Sequence, residues 1–320
     1  MMFDKPRFQA AADIVYQYMV PTLCHQWPVL QAELGLDVWL KHENQTPLGA
    51  FKARGGLVYM TNRVKSGNRN GVISASTGNH GQSIPFAAAK LDVPATIVVP
   101  ENNSAEKNAA MRALGARLVE YGHDFVAAKA HAEHLAQSEG LDMVPSFHPD
   151  LVAGVATYAH ELFETAGELD AVYVPIGLGS GICGVIGMRD MLGLRTKVIG
   201  VVSENANAYA LSFAAGKPVS TNSAATFAEG VAVREPHPDA VAVINAGADR
   251  IVEVSEAQIA NAVRLLFRTT HNAAEGAGAV ALAGVMADQN LDKSQRVAAI
   301  LSGGNIDTGK FAKILAQESL

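Results

Sequence analysis

Asn44-Gln45-Thr46-Pro47-Leu48-Gly49-Ala50-Phe51-Lys52-Ala53-Arg54-Gly55-Gly56 is the stretch on which the reading of this chain turns. Residues 38–42 before it have the character of a short strand, and residues 57–64 after it repeat apolar side chains at helical spacing. Pro47 and Gly49 mark a tight, irregular connection. Lys52 is therefore placed just past a strand-to-loop junction, in the first turn of a helix. A surface charge is what most lysines are. The small or apolar neighbours Gly49, Ala50 and Phe51 suit something else: a buried amine, depressed in pKa, used as Schiff-base nucleophile and general base. The stretch alone leaves both readings open.

Outward from it an alternation sets in. Strand-like runs at residues 71–75, 95–100 and 117–121 alternate with helical patterns at 79–90, 105–114 and 125–138. A second series follows, with helices predicted at 151–164, 181–192, 206–215, 256–269 and 277–287 and strands at 171–176, 197–202, 250–254 and 296–301. Residues 7–19 read as a leading helix, and 217–238 as loop-rich. Such alternation predicts parallel sheets flanked by helices. The joint between the two series falls near residues 145–150, at Pro145, His148 and Pro149.

The 320 residues are 49% hydrophobic and 18% charged, so a sizeable core is available and global disorder is excluded. A net charge of −6 gives no electrostatic case for nucleic acid as a partner. No apolar run reaches the roughly 18 residues that a spanning helix needs, and Met1 to Arg7 lack a signal pattern, so no membrane is expected. Cys24 and Cys183 lie far apart and fit buried thiols in a reducing, cytoplasmic setting. His131 and His134 share a helix face without a third ligand, and no metal site is read there.

Three further stretches carry chemistry. Ser74-Ala75-Ser76-Thr77-Gly78-Asn79-His80-Gly81-Gln82-Ser83 follows a strand and opens a helix, an anion site suited to a carboxylate. An ordinary N-cap would explain one hydroxyl there, not the whole run. Pro175-Ile176-Gly177-Leu178-Gly179-Ser180-Gly181-Ile182-Cys183-Gly184 repeats the arrangement, with small residues that let backbone amides close around a phosphate. Gly179, Gly181 and Gly184 also satisfy GxGxxG, with Glu204 twenty residues on, so a nicotinamide-dependent oxidoreductase is the alternative of a different class. Ala299-Ile300-Leu301-Ser302-Gly303-Gly304-Asn305-Ile306-Asp307 ends a strand at a serine that is either a turn starter or a partner for a heterocycle nitrogen. Glu275 reads as a buried carboxylate near the site or as a cap, and His42 as core or as support for the lysine stretch.

These four motifs, in this order, resemble the fold-type II pyridoxal-phosphate enzymes, and most closely their serine/threonine dehydratase and serine racemase group. The resemblance runs from Thr22 to Asp307. It implies two three-layer αβα domains with open, mostly parallel sheets. Residues 1–55 and 148–320 would form the large domain that binds pyridoxal 5'-phosphate, and residues 56–147 a small domain carrying the Asn79 loop. It implies that Lys52, next to Phe51, forms the Schiff base and moves the Cα proton. Asn79 would meet the cofactor's phenolic oxygen, and Ser76, Thr77, Gly78, Asn79 and His80 would grip the substrate. Gly177, Leu178, Gly179, Ser180 and Gly181 would cup the phosphate. Ser302 would face the pyridine nitrogen, with Gly230 and Glu275 lining the cofactor.

The departures are informative too. Leu178 and Ser180 replace glycines usual in the cup; the Ser180 hydroxyl still donates to phosphate. Thr77 stands where the racemases carry a serine and many dehydratases an alanine, which leaves racemisation open. Val202 and Ala208 match the acidic positions of metal-dependent members, so that cation site is expected to be lost. The end at Leu320 leaves no room for a regulatory domain, and feedback inhibition through one is not expected. The implied activity is β-elimination from an L-3-hydroxy amino acid: threonine, serine, or a relative such as phenylserine or 3-hydroxyaspartate. A homodimer is expected from the resemblance.

Overall fold

The computed structural model describes residues 2–318; Met1 and Leu320, which entered the sequence reading, lie outside them. In chain order the first elements are helix α1 (Lys5–Val15), strand β1 (Cys24–Gln26), α2 (Pro28–Leu34), β2 (Asp37–His42) and α3 (Lys52–Lys65). Then come β3 (Val72–Ala75), α4 (Asn79–Ala89), β4 (Ala95–Val99), α5 (Ala105–Ala113), β5 (Ala116–Glu120), α6 (Phe125–Glu139) and β6 (Asp142–Met143). The rest is α7 (Pro149–Ala166), β7 (Ala171–Pro175), α8 (Ser180–Met191), β8 (Lys197–Ser203), α9 (Ala208–Ala215), α10 (Pro238–Gly247), β9 (Arg250–Val254), α11 (Glu256–Thr270), α12 (Gly276–Ala287), β10 (Arg296–Leu301) and α13 (Thr308–Ala316).

Two sheets result. One has the order β1-β2-β10-β7-β8-β9, the other β5-β4-β3-β6. All pairings are parallel except that of β1 with β2. Helices cover both faces of the central strands, which is why β4 and β7 read as largely apolar runs and are buried throughout. The edge strands β5 and β9 are only partly buried.

The strand order places the site. β2, β10 and β7 are neighbours and run parallel. The lysine stretch follows β2, the Ser302 turn follows β10, and the glycine loop follows β7. Three segments far apart in sequence thus emerge together at the carboxyl ends of adjacent strands, where open α/β sheets bind ligands. The loop after β3 in the second sheet brings Asn79 from across the cleft. Helix α3 joins the two sheets. A Cβ on Gly55 would lie 2.8 Å from the Leu151 carbonyl oxygen of α7, and one on Gly56 would strike Ser83 of α4, so both glycines permit backbone contact.

The structure adds short elements. β1 and β6 hold three and two residues, too few for any alternation to register. The seven-residue α2 runs from a proline to a left-handed Gly35. α10 opens with Pro238 directly after the loop-rich segment, a start signal that low polarity contrast masked. The leading helix ends at Val15, earlier than the pattern to residue 19 suggested, because Tyr16 to Tyr18 turn.

Candidate active site

The glycine loop between β7 and α8 is shaped by what its glycines leave out. Gly179 caps α8 with φ +101°, and a Cβ there would sit 2.6 Å from Cβ of Ala240. A Cβ on Gly177 would strike the Gly230 carbonyl oxygen. Gly179, the N-cap of α8, offers no side-chain cap bond, so the leading N–H groups of the helix are available to an anion. The Tyr209 hydroxyl props the loop by donating to the Leu178 carbonyl at 2.9 Å. Phe51 stands edge-on to Tyr158, whose hydroxyl donates to the Gly181 carbonyl at 3.0 Å.

Lys52 is the first residue of α3. The Phe51 N–H donates to the Ser302 carbonyl (3.1 Å), the Gly304 N–H donates to that of Gly49 (2.9 Å), and Ala50 bridges Gly303. Ser83 of α4 donates to the Lys52 carbonyl at 2.6 Å. The amine reaches the Ser180 hydroxyl at 3.4 Å and lies 5.0 Å from the Phe51 ring centroid. No carboxylate among the described residues pairs with it, and burial pushes its pKa down to about 8.

Across the cleft, Asn79 and His80 open α4. Asn79 Nδ2 donates to Glu275 Oε1 at 2.7 Å, and Asn305 Nδ2 donates to Asn79 Oδ1 at 2.8 Å. Burial first, against the opposing pull of Lys107 and Asn79, raises the Glu275 carboxyl to about 7. Glu275 stands at the N-cap of α12 without a side-chain cap bond, so of its two readings the carboxylate beside the site is the one observed. His80 Nε2 is buried without a partner among the described residues. Burial and the Lys52 charge push that imidazole down to about 3, so it stays neutral. Ser76 accepts from the Gly81 N–H at 2.9 Å, acting as a cap and keeping its own proton free. Thr77 and Gly78 are half-buried beside it. Ser302 is buried and donates to the Ala277 carbonyl at 3.2 Å. Gly230 faces Glu275 Oε1 across 4.0 Å, measured from its absent Cβ.

Two features were missed in the sequence. Asn305 was part of a quoted motif but had no role. The other is a cluster of buried charges two residues from the catalytic candidate. Arg54 donates to Glu43 (2.7 Å from Nε), to Glu161 (2.6 Å from Nη1) and to Thr157 (2.9 Å). Lys41 donates to Glu161 at 2.6 Å, and Tyr16 donates to it at 2.8 Å. Charged residues inside apolar elements, Lys41 in β2 and Glu161 in α7, were the available signal. His42 belongs to the core: it accepts from the Trp27 indole at 3.0 Å, and burial pushes it down to about 4.

The model of the pyridoxal-phosphate dependent enzymes matches residues 15–303. The chain belongs to that family. It is 32% identical to the L-threo-3-hydroxyaspartate ammonia-lyase of Saccharomyces cerevisiae, over 96% of this chain and 94% of that one. It is 35% identical to the biosynthetic L-threonine dehydratase of Salmonella typhimurium, over 92% of this chain, but spans only 58% of that relative's length. The processed form of threonine deaminase isoform 2 from Solanum lycopersicum superposes with a TM-score of 0.91 at 32% identity, covering 99% of this chain and 95% of that one. The residues present fit the family's cofactor. The cradle that Cβ atoms on Gly177 and Gly179 would fill, the α8 start without a side-chain cap, and an amine of lowered pKa with no carboxylate partner among the described residues suit a phosphorylated aldehyde.

The nicotinamide reading of the GxGxxG run is overturned by that match. Gly184 serves helix packing, 3.2 Å from the Ala156 nitrogen measured at its absent Cβ, and Glu204 is exposed in a short 3-10 turn. Among the described residues no group of three His, Cys, Asp or Glu side chains is arranged to hold a metal, and no helix is long and apolar enough to cross a membrane.

Proposed function

We propose that this chain is an ammonia-lyase that eliminates the β-hydroxyl of an L-3-hydroxy amino acid, such as threonine, serine, phenylserine or 3-hydroxyaspartate, and releases a 2-oxo acid and ammonia. The observation that carries the reading is the Lys52 amine: without a carboxylate partner among the described residues, shifted to about 8, and within 3.4 Å of the Ser180 hydroxyl at the start of α8. The similar ammonia-lyases and dehydratases support the reaction class. Bound pyridoxal phosphate supplies the electron sink that makes the Cα–H bond acidic. The α8 N-terminus with Gly177 to Gly181 would hold its phosphate, Asn79 its ring oxygen and Ser302 its ring nitrogen.

Lys52 takes the Cα proton. With a pKa near 8 a useful fraction of the amine is neutral at physiological pH, where an ordinary lysine is nearly all charged. The resulting ammonium is the acid at hand for the departing hydroxyl. The α4 N-terminus orients the substrate carboxylate through its N–H groups and the Ser76 and Thr77 hydroxyls. His80, being neutral, contributes a hydrogen bond there and no charge. Ser302 carries no charge, so it does not hold the ring nitrogen protonated as a carboxylate would; this favours expulsion of the β-group over transamination.

The Thr77 hydroxyl, which makes no hydrogen bond among the described residues, supports racemisation as a second reading. One assay addresses both: a panel of 3-hydroxy amino acids followed for 2-oxo acid release and for inversion of unreacted substrate. Release of 2-oxo acid from at least one member is expected. Inversion without any release would replace the lyase by a racemase.

We place the small domain at residues 56–147, on the support that the second sheet lies within that interval, and the large domain at 1–55 and 148–320. A homodimer is our reading from the resemblance alone. A cytoplasmic setting has the additional support that Cys24 and Cys183 are free and buried.

A further inference from the structure

We propose that Asn305 is a positioning residue that fixes the orientation of the Asn79 amide, so that an N–H rather than the carbonyl of Asn79 faces the cofactor's ring oxygen. The inference rests on the site reading above, in which Asn79 meets that oxygen.

An asparagine amide has one accepting and one donating end of nearly equal size, and which end points where is set by its neighbours. Here the polarity can be traced from a group that cannot flip. The Leu48 backbone carbonyl only accepts, and Asn305 Nδ2 donates to it at 2.8 Å. That fixes the amino end of Asn305 toward Leu48. The same nitrogen contacts Asn79 at 2.8 Å, so Asn79 must present Oδ1 to it. The amino end of Asn79 is thereby turned away from Asn305. One of its N–H groups donates to Glu275 Oε1 at 2.7 Å, and the other has no protein partner among the described residues.

Asn305 is itself seated against the lysine loop. Gly49, at φ +75°, leaves the space its side chain occupies: a Cβ on Gly49 would be 2.5 Å from Asn305 Oδ1. The residue thus links three parts of the site. It sits on the turn after β10, bonds the loop after β2, and orients a side chain brought in by the loop after β3. A donor aimed at the ring oxygen stabilises its anionic form and weakens its hold on the proton shared with the lysine nitrogen. Loss of that donor raises the pH at which this proton leaves, which the cofactor's visible absorption band reports without any turnover.

The test uses the cofactor-loaded protein and its pH-dependent visible spectrum. Asn305→Leu removes the orienting donor without adding charge and should raise the midpoint by about one to two units, the size expected for losing one hydrogen bond to a charged oxygen. Asn79→Ala should raise it at least as much, and Asn305→Leu should add nothing further in the Asn79→Ala background. Asn305→Asp, which accepts and cannot donate when ionised, should invert the amide and give the larger rise. An unchanged midpoint in Asn305→Leu overturns the proposal, as does a shift confined to Asn305→Asp, since that would be charge alone. A shift that persists in the Asn79→Ala background also overturns it while leaving the site reading intact. No shift in Asn79→Ala by itself would remove the site reading and the proposal together.

Discussion

Lys52 and Arg54 stand two residues apart on one turn of α3 and inhabit opposite kinds of polar interior. Around Arg54 every charge is answered. Two cations, Lys41 and Arg54, meet two carboxylates, Glu43 and Glu161, all of them buried. Burial pulls the Arg54 pKa down and pushes that of Glu161 up, but their mutual attraction outweighs it, raising the guanidinium and lowering the carboxyl. Around Lys52 the groups are left short. Among the described residues the lysine has no counter-ion and His80 Nε2 has no partner, and burial raises the Glu275 carboxyl to about 7. A saturated cluster anchors a fold; an unsaturated one is set up for a ligand. The close packing of α3 on α4 and α7 lets one short element serve both, with Arg54 holding the helix whose first residue presents the amine.

The comparison is broken most severely at Lys52. Replacement by alanine removes the base and the covalent attachment point together, and 2-oxo acid release should fall by at least roughly 10²–10⁴-fold, the range for a general base. The urea midpoint of the cofactor-free protein should barely move, because the amine answers no buried charge. A large loss of stability in Lys52→Ala would refute the contrast. Arg54→Met should do the reverse. It leaves two buried carboxylates facing Lys41 alone, a loss of about 3–5 kcal/mol in urea unfolding, while the variant that remains folded still binds the cofactor covalently. Glu275→Gln gives the smallest and most pH-dependent effect. The carboxyl is raised from 4.5 to about 7, so the protonated form fits the native site better. Its contribution to stability is present in full below about 4.5 and lost as pH rises through about 7. Glutamine mimics the protonated form, so thermal melting of the cofactor-free protein should match the parent near pH 4.5 and exceed it increasingly up to pH 7. A gap that does not grow with pH would mean that Glu275 is ionised throughout.

Much of this was legible in the sequence, for reasons that differ by element. Central parallel strands such as β4 and β7 are buried on both faces, so their apolar runs announce themselves. The glycine loop was legible because close backbone approach leaves no alternative residue type at Gly177 and Gly179. The Asn79 run was legible as a loop opening a helix, and Ser76 accepts from the Gly81 N–H in the first turn of that helix. Elements of two, three and seven residues escaped, since β6, β1 and α2 are too short for a period to show. The Arg54 cluster escaped because its members come from positions 16, 41, 43, 54, 157 and 161 and no local pattern joins them.

The sequence by itself determined which chemistry was available: an amine on a helix start, a glycine loop, an asparagine run and an uncharged serine turn, each specified by local residue types. Only the tertiary structure decided which way they act. The order β2-β10-β7 put Lys52, Ser302 and the glycine loop side by side, and the second sheet set Asn79 opposite them. Burial then lowered the lysine, and a backbone carbonyl at Leu48, passed on through Asn305, set the polarity of the Asn79 amide. Residue type is a local property, whereas desolvation and hydrogen-bond direction depend on which groups the fold brings within a few ångströms.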